Sequence, residues 1–252
     1  MGLTDALQLK NKEMICFVGA GGKTSLMTLL ARECAAAGAR VLVTTSTKMY
    51  YRQLRICSPQ ILLEKEQDLL SKLKEFHAKT PILAVAAGLT EEQKATGLSK
   101  ECLDEIYRSG LFDYVLVEAD GSRGKSMKAP AEYEPVVPSL ATTVLAVVGL
   151  DILGRPLSEE TVHRASLAVT AAAQRLGEPV TETTVVRVFR YYEQKIREAT
   201  PSVQFTPVLN KVDFLKETDR AKALAMQLLT PSVRNVLLTS AVSGTPVLEV
   251  IK

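Results

Sequence analysis

Phe17-Val-Gly-Ala-Gly-Gly-Lys-Thr-Ser25 follows a short apolar run, Met14 to Val18, and opens an apolar-periodic segment from Leu26 to Ala37. The order is strand, glycine turn, helix. Glycines at 19, 21 and 22 let the backbone curl tightly and take positive φ. The amides of such a curl converge at the positive end of the following helix, where an anion of phosphate size fits. In a P-loop of this kind Lys23 reaches a terminal phosphate and the Thr24 hydroxyl ligates Mg²⁺. The expected nucleotide-holding set is therefore Gly19, Ala20, Gly21, Gly22, Lys23, Thr24 and Ser25. The pattern is shortened, because Phe17 stands where a full P-loop carries its first glycine, and Val18 stands where one branch carries a second lysine. A plain glycine turn with an incidental lysine is the alternative.

Working outward, Arg40 to Thr44 reads as a buried strand that ends in Thr44-Thr-Ser-Thr-Lys48. Hydroxyls and a lysine at that end lie where open α/β sheets bind ligands; a continuing strand with a solvated Lys48 fits equally. Asp113 to Val117 is another buried strand, and it delivers Glu118-Ala-Asp-Gly121. An apolar strand ending in acid is what a Mg²⁺–nucleotide site needs beside a P-loop, and either Glu118 or Asp120 serves for the metal. Three cations, Arg123, Lys125 and Lys128, follow on a glycine-bearing loop. That loop either holds an anionic substrate or is a solvated basic surface. Arg123 is the nearest candidate for an arginine finger.

Val203 to Leu209 is a strand that runs into Asn210-Lys-Val-Asp213. In such a loop the aspartate accepts from guanine N1–H and the exocyclic amine, a pattern adenine lacks. The Lys211 stem lies along the base, and Asn210 ties the loop to the P-loop. Asn235 to Leu238 leads to Ser240-Ala241, where a second base-contacting loop is expected through a backbone N–H. The expected cofactors are GTP, or ATP, with Mg²⁺.

The remaining segments alternate. Helices are expected at about 24–37, 64–78, 99–108 and 216–229, with strands at 61–63, 81–87 and 142–148. Thr90 to Ala95 reads as a polar helical turn, Ser158 through Arg175 as a capped helix, Thr181 to Ala199 as a second one, and Thr245 to Lys252 as the start of a final helix. His163 and Arg164 sit beside the apolar stripe of the 158–175 helix and read either as a functional pair or as solvent-facing residues. The fold class is α/β: a mostly parallel sheet of the P-loop NTPase kind in three layers, αβα. Residues 1–252 form one domain, with a small helical insertion near 155–200.

The composition sets limits. Apolar residues make up 46 % of 252 residues, enough for a substantial core. A net charge of +3 and few aromatics argue against a nucleic-acid partner. No stretch is apolar and long enough for a signal peptide or a membrane span. Cysteines 16, 34, 57 and 102 have no metal or redox spacing and read as reduced packing residues of a cytoplasmic protein.

Gly19 to Ser25, Asp113 to Gly121, Asn210 to Asp213 and Ser240-Ala241 together resemble the P-loop GTPase class, and within it the branch of metallocentre-assembly GTPases. At full length the chain resembles the YqeC family, described as selenium cofactor biosynthesis or selenium-dependent hydroxylase accessory proteins. The residues that carry the match include 19–24, 44–49, 117–122, 128–135, 149–154, 162–164 and 209–213. The resemblance implies a role in maturing selenium-dependent molybdenum hydroxylases, with such an enzyme or its cofactor as partner. It adds weight to the Lys125–Lys128 loop and to His163 and Arg164 as substrate contacts, with Lys48 a further candidate from its place at the strand end. A homodimer is a further expectation, because a shortened P-loop often needs a neighbour. A phosphotransferase or nucleotidyl-type enzyme acting on an anionic small molecule is the competing function.

Overall fold

The computed structural model describes residues 1–252. In chain order the elements are α1 (Leu3–Leu7), β1 (Glu13–Gly19), α2 (Lys23–Ala36), β2 (Val41–Thr45), β3 (Lys48–Tyr50), α3 (Tyr51–Cys57), β4 (Ile61–Leu63) and α4 (Glu66–Phe76). Then come β5 (Ile82–Ala86), β6 (Gly88–Leu89), β7 (Lys94–Thr96), α5 (Lys100–Ser109), β8 (Tyr114–Glu118), β9 (Met127–Lys128) and β10 (Thr143–Gly149). The chain finishes with β11 (Val162–His163), α6 (Ala165–Ala172), α7 (Glu182–Ala199), β12 (Gln204–Asn210), α8 (Thr218–Leu228), β13 (Val236–Thr239) and β14 (Val247–Ile251).

Nine strands form one sheet in the order β14-β13-β12-β10-β1-β8-β2-β5-β4, parallel throughout except for β14. The strands are buried on both faces, so their sequences are continuous apolar runs rather than alternating ones. Successive residues of β1 still point to opposite sides. Ile15 and Phe17 join the core under α1, α2 and α3, whereas Met14, Cys16 and Val18 join the core under α4 to α8. The result is the three-layer αβα architecture of a P-loop NTPase. β8 flanks β1 on one side and β10 on the other, so the chain switches sides of β1 at its carboxyl edge, where open α/β sheets form clefts.

Three expected elements differ. Thr90 to Ala95 is not a helical turn but the bend and second strand of a hairpin: Thr90 N–H donates to Lys94 O, and β7 lies between β3 and β6. The helix from Ser158 begins only at Ala165, because Val162–His163 pairs with Met127–Lys128 and Arg164 takes φ +59°. Thr245 to Lys252 carries β14 as an antiparallel edge strand, since β13 offers a free row of backbone groups there. The stretch 155–200 holds α6 and α7; α7 starts at a capping box between Thr181 and Thr184. All four cysteines are buried and unpaired, and burial pushes the thiols of Cys34 and Cys102 up to about 12 and that of Cys57 up to about 11. No helix is long and apolar enough to cross a membrane.

Candidate functional site

At the glycine turn, backbone passes too close to Gly21 for a side chain, and the Asn210 amide does the same at Gly22. A Cβ on Gly21 would sit 2.3 Å from Gly149 N and 2.8 Å from Ser126 O, and one on Gly22 would sit 2.1 Å from Asn210 Nδ2. Both residues also take positive φ, +84° and +129°. The turn is pinned from three sides: Gly21 N–H donates to Lys125 O, Asn210 Nδ2 donates to Gly21 O at 2.7 Å, and Gly19 N–H donates to Asp120 Oδ2 at 3.0 Å. Asn210 is itself held by Thr239 Oγ1, which ties the P-loop to the end of β13. The Asn210 role expected from sequence, a tie to the P-loop, is the contact observed.

β8 carries two carboxylates, and their environments separate them. Glu118 Oε2 accepts from Thr24 Oγ1 at 2.9 Å, and both residues line a cavity of about 1000 Å³. Burial pushes the Glu118 carboxyl above its usual range, opposed by Lys23 and the Thr24 hydroxyl. Asp120 is 0 % exposed and does not line the cavity. It accepts from Gly19 N–H and from Tyr192 OH (2.8 Å), with Lys23 Nζ at 3.3 Å and Lys128 Nζ at 3.4 Å. The position thus corrects the reading of Asp120 as a metal-facing alternative to Glu118. Asp120 is a buried anchor behind the loop. Lys23 Nζ also donates to Gly19 O at 2.7 Å, so its ammonium sits inside the curl of the loop.

The basic loop after β8 divides in the same way. Arg123 is exposed, at φ +50°, and lines the cavity; Lys125 lines it half-buried and donates to Glu160 O. Lys128, expected to meet an anionic ligand, is fully buried and donates to Gly121 O and Glu134 Oε2. It balances Asp120 and Glu134 and cannot reach a ligand. Arg164 closes this ion network, donating to Glu134 and to Tyr133 OH. Burial alone would raise the Glu134 carboxyl, but Arg164 and Lys128 hold it below its usual range.

His163 and Arg164 line the cavity, so they are not the surface of a helix, as one of the two readings had it. Burial first, then Lys128, Arg164 and Arg123, bring the His163 pKa down to about 4. Between that value and the ordinary 6.5 the unfolded chain binds a proton that folded His163 does not. The stability contributed by the neutral ring is therefore present above pH 6.5 and lost as pH falls toward 4. An NMR titration of the two histidines, assigned with His77→Gln, should show the His163 ring neutral until about pH 4. A midpoint near 6.5 would contradict the cationic surroundings described here.

The hydroxyls of Thr44 and Thr45 bond Val85 O and Glu118 O and serve the sheet, while Lys48 is exposed on the cavity wall. Lys211 lines the cavity and donates to Ser126 Oγ and Asp151 Oδ2, each at 2.8 Å. Asn210, Asp213, Ser240 and Ala241 do not line it. Asp213 is exposed on the turn after β12, and the neighbouring strand β13 leads into the buried Ser240 and the half-buried Ala241. Sequence reasoning missed Tyr50, Arg52, Lys94, Tyr133 and Glu134 on the cavity wall. Tyr50 and Arg52 had proximity to Lys48 as their signal, and Tyr133 and Glu134 their place in the 128–135 stretch; Lys94 had none, and pairing of β7 with β3 brings it there.

The family model described as YqeC protein matches residues 15–166. The "Uncharacterized protein YqeC" of Escherichia coli (strain K12) is 37 % identical over 160 residues, 62 % of this chain and 59 % of that protein. The match thus spans about three fifths of that relative's length. Among solved structures, the MinC:MinD cell division protein complex of Aquifex aeolicus is similar at a TM-score of 0.46 and 16 % identity, covering 90 % of this chain and 81 % of that one. A GTPase in apo form from Pyrococcus abyssi is similar at a TM-score of 0.41 and 16 % identity, covering 91 % and 90 %. The family match takes in β1 with its glycine turn, the acidic end of β8 and the His163-Arg164 wall, and extends over more than half of the chain, which belongs to the YqeC family.

Proposed function

We propose that the protein binds a Mg²⁺–nucleoside triphosphate, selects guanine and hydrolyses the nucleotide, as an accessory factor in maturing selenium-dependent molybdenum hydroxylases. The observation that carries the nucleotide part is the pairing of Thr24 Oγ1 with Glu118 Oε2 on the cavity wall, directly beside a glycine cradle too tight for any Cβ. Lys23 and the loop amides would hold phosphate oxygens, and Thr24 with Glu118 would hold the metal ion. When bound, Mg²⁺ neutralises charge on the phosphates. The chain's own part is positional: Asn210 and Asp120 keep the loop curled, and Lys23 supplies a fixed positive charge. The link to selenium-dependent enzymes rests on the family alone.

Guanine selection is the sharpest part to test. Asp213 is exposed at the end of the loop that Asn210 anchors. A paired carboxylate contact to one base edge is worth about 1–3 kcal/mol of discrimination. Equilibrium binding with Mg²⁺ should show GTP preferred over ATP, and Asp213→Ala should erase roughly 10- to 100-fold of that preference. Equal binding of both nucleotides by the intact chain would make Asn210-Lys-Val-Asp213 a coincidence.

A second reading, transfer of a phosphoryl or nucleotidyl group to an anionic small molecule, is favoured by the size of the cavity and its cationic lining. Product analysis separates the two. Hydrolysis yields the nucleoside diphosphate and inorganic phosphate, with no other compound changed, whereas transfer yields a modified second compound.

A further inference from the structure

We propose that the part of the cavity wall built from Lys48, Arg52 and Arg123 is a second anion-binding subsite, for a small phosphate-bearing molecule other than the nucleotide. The inference rests on the nucleotide reading for how the cavity is divided. Small-molecule sites commonly occupy about 300–1,000 Å³. The P-loop end, with Gly21 to Ser25 and Glu118, accounts for one part of the roughly 1000 Å³ present here. Of the guanine-reading residues only Lys211 is in the lining, while Asn210, Asp213, Ser240 and Ala241 lie outside it, so a base held by Asp213 would leave much of the cavity unfilled.

That remaining part has a distinct wall. β3 and the first turn of α3 supply Lys48 and Arg52, and the loop carrying Arg123 abuts β3, with a Cβ on Gly121 only 3.9 Å from Lys48 O. Other cavity cations are committed: Lys94 to Glu92, Arg164 to Glu134, Lys211 to Asp151, and Lys125 to the Glu160 carbonyl. Lys48, Arg52 and Arg123 have no carboxylate within ion-pair distance. The lining acids are committed as well. Glu118 takes the Thr24 hydroxyl, Glu134 takes Lys128 and Arg164, and Glu159 faces Ser166 N–H. Three unpaired cations on one concave wall repel one another, and an anion placed among them removes that cost. Tyr50 supports the arrangement, with the Arg52 guanidinium 5.3 Å and the Lys94 ammonium 5.6 Å from its ring. Two guanidinium forks beside a lysine match the oxygens of a phosphate group better than a lone carboxylate.

The test uses the full chain saturated with Mg²⁺ and a non-hydrolysable guanosine triphosphate analogue. Inorganic pyrophosphate is then titrated in by calorimetry at constant free Mg²⁺. One further binding event per chain is expected, weakened about tenfold or more in Arg52→Ala and in Lys48→Ala, and partly restored in Arg52→Lys. Pyrophosphate binding that vanishes once the analogue is present would place it in the P-loop and overturn the subsite. So would a loss in Arg52→Ala matched by an equal loss of analogue affinity in the same samples. If the analogue does not bind at all, the nucleotide reading has failed separately. Pyrophosphate binding that survives Lys23→Ala but not Arg52→Ala then still supports the subsite, and binding lost in Lys23→Ala overturns it.

Discussion

Replacing Asp120 by alanine is expected to lower the melting temperature by roughly 10 °C or more, the largest stability effect of any single polar substitution in the chain. The carboxylate is 0 % exposed and sits among four partners: Gly19 N–H, Tyr192 OH, Lys23 and Lys128. Truncation leaves the fully buried Lys128 facing one carboxylate instead of two, and leaves an amide and a phenol without an acceptor. Breaking a buried ion pair from one side costs about 3–5 kcal/mol, and a chain of this size loses about 2–4 °C per kcal/mol. Tyr192→Phe removes one hydrogen bond to the same carboxylate and should cost less, about 1.5–3 kcal/mol. Urea and thermal unfolding of the two variants make the comparison. An Asp120→Ala shift of only about 2 °C would mean that water reaches the network and that the ions are not buried as described.

Lys23→Ala is expected to weaken Mg²⁺–nucleotide binding by about 100-fold or more while moving stability far less. Lys23 Nζ is held inside the loop by Gly19 O at 2.7 Å and by Asp120 Oδ1 at 3.3 Å, where it adds positive charge to the convergent amides. Removing one partner of a desolvated charge contact costs about 2–5 kcal/mol of binding. Asp120 keeps Lys128, Tyr192 and Gly19 N–H after the substitution, so the fold retains most of its ion network. Fluorescence titration with a labelled nucleotide, read beside a thermal melt, separates the two effects. A tenfold loss or smaller would assign Lys23 to holding the loop together rather than to holding phosphate.

The elements that were legible in the sequence share a physical basis. β1, β2, β5, β8, β10 and β12 are buried on both faces, so each announces itself as an apolar run regardless of its neighbours. The glycines at 19, 21 and 22 were legible because positive φ leaves few alternatives, and Asn210 because its spacing from β12 placed it at the loop. β7 and β14 were not. Their few residues are extended only because β3 and β13 provide backbone partners, and partnership across the chain leaves no local periodicity. The 158–175 stretch failed for a related reason: its helical stripe was real, but pairing of Val162–His163 with β9 outweighed the local preference for a helical start.

Within the site the division falls on burial. Residue types and their spacing along the chain were enough to nominate Lys23, Thr24, Glu118, Asp120 and Lys128, because a phosphate and a metal ion call for charges and hydroxyls at strand ends. They could not tell Glu118 from Asp120, or Lys125 from Lys128. The members of each pair differ in which way the backbone turns them, and only packed neighbours decide that. Glu118 faces the cavity with Thr24, while Asp120 and Lys128 meet Tyr192 from α7 and Glu134 in the interior. Arg52 and Tyr50 join the wall for the same reason. A charge's role depends on what surrounds it in space, and part of those surroundings, Tyr192 for Asp120 and Thr24 for Glu118, comes from residues 72 and 94 positions away.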